Sequence, residues 1–361
     1  MALIASACAP SAKVEPAPAA RLAVKLPGPA RAGGEVAVLE NRACEKCHAD
    51  IAAEWRGSMH QRSQIDPAYQ RAFAIEPMAF CQGCHAPEAS PDGPVSAHEA
   101  DLGIGCVTCH SPSGERGAVL AGHGSSASAS PHPILREPAF AADGGCAGCH
   151  EFRFPGVLDR RHRLAEDMMQ STALEHERSS LAQTSCADCH MPGVGGEARR
   201  HRSHAFSGAR DPVAMKAAIQ VTAERVSARV MRFHLAPGRV GHAMPTGDLF
   251  RRIEVLGEVV GPDTGSLGRE SRYLTRHFGL PRNGRRRLLA DDRVGAKGSD
   301  PVVVELDLGD PAEGRPIAWQ VAYQRVEHPR GVDESDALVE GEVVLASGVA
   351  DPLPSRSSKG P

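Results

Sequence analysis

Cys44-Glu-Lys-Cys47-His48, Cys81-Gln-Gly-Cys84-His85, Cys106-Val-Thr-Cys109-His110, Cys146-Ala-Gly-Cys149-His150 and Cys186-Ala-Asp-Cys189-His190 repeat one pattern along a single stretch of chain. Cys-x-x-Cys-His is the attachment signature of c-type haem. Each thiol adds across one vinyl group, and the two intervening residues match the spacing of those groups on one edge of the ring. The adjacent histidine then falls under the iron as proximal ligand. A single match also fits a zinc half-site or a redox dithiol. Five matches consume ten of the eleven cysteines. A zinc reading would leave five histidines in the same slot by accident. The expectation is five covalently bound haem c groups, held through Cys44, Cys47, Cys81, Cys84, Cys106, Cys109, Cys146, Cys149, Cys186 and Cys189.

Composition agrees with an interior that is not made of side chains alone. The chain has 361 residues, a formal charge of −3 and 41% hydrophobic residues, but only 4% aromatic ones. A core so poor in large rings needs another source of apolar mass, and porphyrins supply it. Few strands and short helices are expected there. No basic block is interleaved with aromatics, which argues against nucleic-acid binding. No run of eighteen apolar residues exists, so no spanning helix is expected.

The chain divides into five segments. Residues 1–8 read Met-Ala-Leu-Ile-Ala-Ser-Ala-Cys. This is similar to the end of a bacterial lipoprotein signal, with Cys8 as a lipid-bearing residue; the alternative is an incidental cysteine in a tail. Residues 9–39 have the Ala/Pro-rich composition of a linker. Residues 40–214 form an irregular, mostly α multihaem domain. A helix is expected over 49–61 from Ile51, Trp55 and Met59, and another after Pro67. Residues 87–105 and 111–139 read as loops, and a helical pattern returns between His150 and Cys186. From 215 to 350 the period becomes two, in Ile219-Val221-Ala223, Val226-Ala228-Val230, Ile253-Val255, Val304-Leu306-Leu308 and Ile317-Trp319-Val321-Tyr323. That pattern predicts an all-β, sandwich-like domain of roughly seven strands. Residues 351–361 read as a tail.

Five irons need five further ligands if all are six-coordinate, and twelve histidines lie outside the motifs. His60 follows His48 by twelve residues. On a continuous helix the two stand about 18 Å apart, so His60 serves a different iron from His48 or is a surface residue. His98 precedes the third motif. His132 lies between Pro131 and Pro133, which suits a rigid ligand and equally an ordinary turn. Of His201 and His204, His204 is the preferred candidate. His242, in Gly241-His242-Ala243-Met244-Pro245-Thr246-Gly247, either reaches across to a haem and fastens two domains together or stabilises a turn. The metal-ligand set is therefore His48, His85, His110, His150 and His190 with His60, His98, His132, His204 and His242. His123, His162, His176 and His201 are reserves; Met59, Met191 and Met244 are read as packing residues. Arg199, Arg200 and Arg202 suit haem propionates, or an oxyanion if one iron is open.

Cys44 to Cys84, with Trp55-x-x-Ser58-x-His60, resembles the cytochrome c-554 family of multihaem cytochromes. The segment Cys186 to Pro192, followed by His204-Ala-Phe206-x-Gly208, is similar to the last haem site of related proteins. Gly241 to Gly247, with Arg251 and Arg252, is similar to a segment in their C-terminal β domain. The likeness covers most of residues 40–330. It implies electron transfer through closely packed bis-histidine haems. Two features depart from it. The cytochrome c-554 type has four haems against five here, and position 176 is His where relatives often carry an aromatic. Pentahaem nitrite reductase uses Cys-x-x-Cys-Lys at its active haem, a motif absent here, and octahaem hydroxylamine oxidoreductase needs more haems.

The expected function is an exported electron carrier, periplasmic or outer-membrane-associated, serving redox partner proteins. The alternative is an oxidoreductase acting on a small nitrogen or sulfur compound at one open iron.

Overall fold

Alternation of buried and exposed residues begins at Ile219 and continues to Ala350. The strand Val230–Pro237 shows the rule. Met231, Phe233 and Leu235 point inward and are fully buried. Arg232 points outward and bonds Glu305 of the neighbouring strand at 2.8 Å. In a pleated strand, successive side chains face opposite sides, so this spacing builds one dry and one wet face.

The computed structural model describes residues 25–354 apart from 92, 112–117, 123–129, 156–163, 197–199, 263–264, 283–284 and 328–333. Cys8, His123, His162 and Arg199 lie outside the described residues, as do the segments 1–8 and 355–361. Strands Ser266–Leu274, Arg251–Val260, Ile317–Val326 and Val339–Ala350 pair in that order, all antiparallel. Val302–Asp307, Val230–Pro237 and Ile219–Arg225 form a second antiparallel sheet. Phe233 and Leu235 of one sheet share a core with Ile253, Val255, Ile317 and Val321 of the other. This is a two-layer sandwich of seven strands, as the period-two pattern predicts. The hairpin Arg276–Arg282 with Arg285–Asp291 adds to it.

The preceding part is built differently. Its longest helix, Gly34–Cys47, has 14 residues. Its apolar cluster is Val38, Trp55 and Leu102, with Phe206 packed against them. Close backbone contacts replace side-chain packing. Gly103 has φ +53°, and a Cβ there would stand 2.2 Å from the carbonyl oxygen of Gln61. Only glycine tolerates both the left-handed backbone and that approach. Among the described residues, no helix is long and apolar enough to cross a membrane.

Several local expectations are corrected. The first helix starts at Gly34, inside the segment read as linker to residue 39. The helix expected over 49–61 stops at Arg56. Gly57 caps it, and a series of turns carries His60 instead. The region 87–105 contains the helix Ala97–Leu102, closed by a reciprocal Ser96–Glu99 capping box. Short strands Val119–Ala121 and Ile134–Arg136 interrupt 111–139. Between His150 and Cys186, Glu151–Pro155 pairs with Leu164–Ser171 as a hairpin, and among the described residues only Thr172–Glu177 is helical. Residues 226–229 turn the chain between strands instead of extending one.

Ion pairs join the two parts. Asp66 caps the helix Pro67–Ile75 through Ala68 N at 2.9 Å. The same carboxylate bonds Arg325 of the sandwich at 3.1 Å, and Arg210. Arg71 pairs with Glu327 at 2.8 Å and with Glu340. Burial pushes Asp66 upward, but Arg325 and Arg210 outweigh it and hold the carboxyl below its ordinary range. The stabilisation is therefore present above the unfolded value of about 3.9 and is lost as pH falls through the lower folded value. Asp66→Ala should cost about 2 kcal/mol at neutral pH in a chemical-denaturation experiment, with the difference from the parent shrinking in acid.

Candidate functional site

Each Cys-x-x-Cys-His motif ends or occupies a short helix: Gly34–Cys47, Ala79–His85, Cys106–His110, Gly144–His150 and Cys186–His190. Helical spacing sets the two cysteines of a motif on neighbouring positions of one face. Cys47 and Cys189 are exposed and the other eight are half-buried. Thiols of different motifs also meet: Cys84 lies within hydrogen-bonding reach of Cys149, and Cys146 of Cys186. The edges to which haems would be attached are thus adjacent between motifs two and four and between motifs four and five.

Four motif histidines each face a second imidazole. His48 and His132 have ring centres 6.3 Å apart, His150 and His60 6.1 Å, His110 and His204 6.2 Å, and His190 and His242 6.3 Å. A metal–nitrogen bond of about 2 Å on each side, plus about 1.15 Å from nitrogen to ring centre, gives about 6.3 Å. The spacing therefore fits one metal ion between each pair. All four partners come from different segments: the turn after Arg56, the Pro131–Pro133 stretch, the region after motif five, and the sandwich.

The other ring nitrogen, Nδ1, is anchored in most of these residues. His110 donates to Leu120 O at 2.7 Å, His190 to Ser207 O at 2.6 Å, His204 to Arg202 O at 2.8 Å and His242 to Ala243 O at 3.0 Å. The His150 Nδ1 lies 3.2 Å from the side-chain amide of Gln170. The four bonds to carbonyl oxygens leave Nε2 as the free ligand atom and fix the plane of the ring. Burial and neighbouring imidazoles depress His150 to about 4 and His60 to about 3, keeping both neutral and able to bind metal.

His85 is different. Its Nδ1 is anchored to Ser63 O at 2.8 Å, and Tyr69 stacks on its ring at 3.7 Å and 8°. No second imidazole faces it among the described residues. Asp248, Asp66 and Arg251 are the charged groups whose fields reach it. Arg251 bonds Asp248 at 3.3 Å and the Tyr323 hydroxyl at 3.4 Å. Burial pushes Asp248 upward, yet Arg251 offsets this and the carboxyl stays below its ordinary range.

The remaining candidates separate. His98 is exposed on the helix Ala97–Leu102 and meets no motif histidine among the described residues. Its position before motif three carried no geometric information, because His98 is exposed at the start of a helix that buries Leu102 at its end. His201 bonds Glu54 at 3.1 Å, and Glu54 also accepts from His204 N at 2.8 Å, so the pair His201/His204 is split into support and facing imidazole. Arg202 bonds Asp188 at 2.6 Å. His176 is buried and donates from Nδ1 to Gly241 O at 2.9 Å. It holds the loop that carries His242. Thr246 of that loop bonds Thr172 and Glu175, each at 2.8 Å, and Arg293 bonds Glu175 at 2.7 Å. The backbone carbonyl anchors and Gln170 left no readable sign in the sequence.

Residues 43–111 match the family model described as cytochrome c554 and c-prime. A penta-heme cytochrome c552 from Thermochromatium tepidum has a similar structure, with a TM-score of 0.61 and 19% identity over 90% of this chain and 100% of that one. Over residues 43–111 the chain is thus similar to cytochrome c554 and c-prime, and its fold is like that of a multihaem c-type cytochrome. A β-glucuronidase from glycoside hydrolase family 2, at a TM-score of 0.15, 11% identity and coverage of 37% of this chain and 11% of that one, carries no argument. No curated protein matches the sequence. The residues of the chain fit covalently bound haem c: paired thiols on one helix face and imidazoles spaced for a metal.

His242→Ala should leave the folded protein with one fewer six-coordinate iron. The expected reading is a new high-spin absorption band and carbon monoxide binding at one additional iron, with the mass of the attached haem unchanged.

Proposed function

We propose that this chain is an exported pentahaem electron carrier between redox partner proteins. In this reading His48/His132, His150/His60, His110/His204 and His190/His242 hold four irons, and His85 holds the fifth from one side. The observation that carries it is the spacing of the four imidazole pairs, 6.1 to 6.3 Å. Bound haem iron supplies one-electron chemistry. The chain contributes ligands on both faces, which exclude substrate from four centres, and second bonds from Nδ1 that keep the ligands basic and the potentials low. The meeting of Cys84 with Cys149 and of Cys146 with Cys186 supports a continuous series in which the fourth site touches both the second and the fifth. Attachment of haem c outside the cytoplasmic membrane supports export, and Cys8 supplies a candidate lipid tether.

A second reading draws on one specific observation. His85 has no facing imidazole among the described residues, and Arg251 with Asp248 lies on the sandwich side of it. An open iron beside a guanidinium suits a small nitrogen or sulfur compound, with Arg251 binding an anionic ligand.

Mass spectrometry of the exported protein should give five added haems. Electron paramagnetic resonance of the oxidised protein should give four low-spin centres and one high-spin centre. Carbon monoxide, added after reduction, should bind at one iron. Five low-spin centres would remove the enzymatic reading and leave the carrier; turnover of nitrite or hydroxylamine, lost in Arg251→Ala, would favour it.

A further inference from the structure

One paired imidazole has a buried second nitrogen that meets no hydrogen-bond partner among the described residues: Nδ1 of His60. His110, His190, His204 and His242 all give that proton to a backbone carbonyl. Beside His60 stands Phe206, with ring centres 4.1 Å apart and the planes at 68°. Phe206 also meets His204 edge-on at 5.7 Å. It belongs to the apolar cluster of Val38, Trp55 and Leu102.

The backbone of Phe206 is itself unusual. Its φ is +52°, in the left-handed region that bulky residues avoid. Such conformations cost of order 1–3 kcal/mol and persist only where the surroundings enforce them. Here the enforcement is local: His204 N is tied to Glu54, and Ala205 N to the Ser203 hydroxyl at 3.3 Å. The strained turn puts an aromatic ring with no lone pair beside an imidazole that keeps its proton to itself.

A hydrogen bond from Nδ1–H to an oxygen gives an imidazole partial imidazolate character. It becomes a stronger electron donor, and the oxidised metal is favoured. Without that bond the ligand is weaker, and the reduced metal gains relative to the other sites. The partner His150 adds no such bond, because the atom at its Nδ1 is the amide nitrogen of Gln170, 3.2 Å away, which is itself a donor.

We propose that His60 and Phe206 make the iron between His60 and His150 more oxidising than the two centres whose ligands all give Nδ1–H to a carbonyl, those of His110/His204 and His190/His242. Electrons at those two are then drawn to the fourth site, next to the second and fifth. Phe206 is a positioning residue: it acts through His60 and touches no iron. The inference rests on the ligand pairs proposed above.

Two variants of the holoprotein, each followed by redox titration with resonance detection of every low-spin centre, test it. In His60→Ala, one low-spin signal should vanish, and its midpoint should lie above those of at least two others. If its midpoint lies lower, the inference is overturned while the ligand assignment stands. If no signal vanishes, the ligand assignment itself fails and the inference falls with it. In Phe206→Asn, the side chain tolerates a left-handed backbone and offers an amide oxygen to Nδ1–H. That centre alone should move to a more negative potential. An unmoved or more positive midpoint at that centre, or an equal displacement of all four, would overturn the inference.

Discussion

An imidazole nitrogen binds a metal in the plane of its ring at about 2 Å, and a second imidazole on the opposite face repeats the condition. That constraint tolerates little error, and the whole first part of the chain is arranged to meet it. Its helices are short, its side-chain core is small, and its backbone approaches itself closely at Gly103. What would be loose packing in an ordinary domain becomes reasonable when porphyrins fill the interior. The seven-strand sandwich needs no such help, because Phe233, Ile253, Val321 and their neighbours bury one another.

The two constructions are fastened by chemistry as well as by contact. Asp66 takes arginines from both, Glu175 takes Arg293, and His176 grips the carbonyl of Gly241. Glycine is required at that last point, since a Cβ on residue 241 would stand 2.9 Å from the His176 ring nitrogen. Each of these bonds converges on the loop holding His242 or on the ground near His85. In the proposed reading the sandwich belongs to the redox machinery, since it supplies His242 opposite His190 and the Arg251–Asp248 pair near His85.

The sequence displayed the attachment motifs outright, since covalent chemistry demands fixed residues at fixed spacing. It displayed the sandwich almost as well, because alternation over Ile219–Ala223 and Ile317–Tyr323 has one physical cause. His60, His132, His204 and His242 were legible as candidates through their unusual neighbours. Which motif each would face was not legible, because pairing depends on how turns fold between residues far apart in the chain. His98 looked as good as His132 on paper and differs in being exposed on its helix. The stretch 164–171 misled because Met168 and Met169 suit a helix or a strand, and hairpin pairing decided between them. Phe206 carried no sign of its backbone conformation; His176 carried none of its grip on Gly241.

The four imidazole pairs also differ in the angle between their planes: 7° for His190 with His242, 34° for His110 with His204, 54° for His48 with His132 and 83° for His60 with His150. Parallel rings donate into the same iron d orbital and split it from its twin. Crossed rings donate into both and leave the two nearly degenerate. Magnetic anisotropy should therefore rise steadily across the series, most rhombic at the fifth motif and most axial at the fourth. With iron held as proposed, each centre would carry its own magnetic signature, by which an electron could be followed from one iron to the next in the unaltered protein.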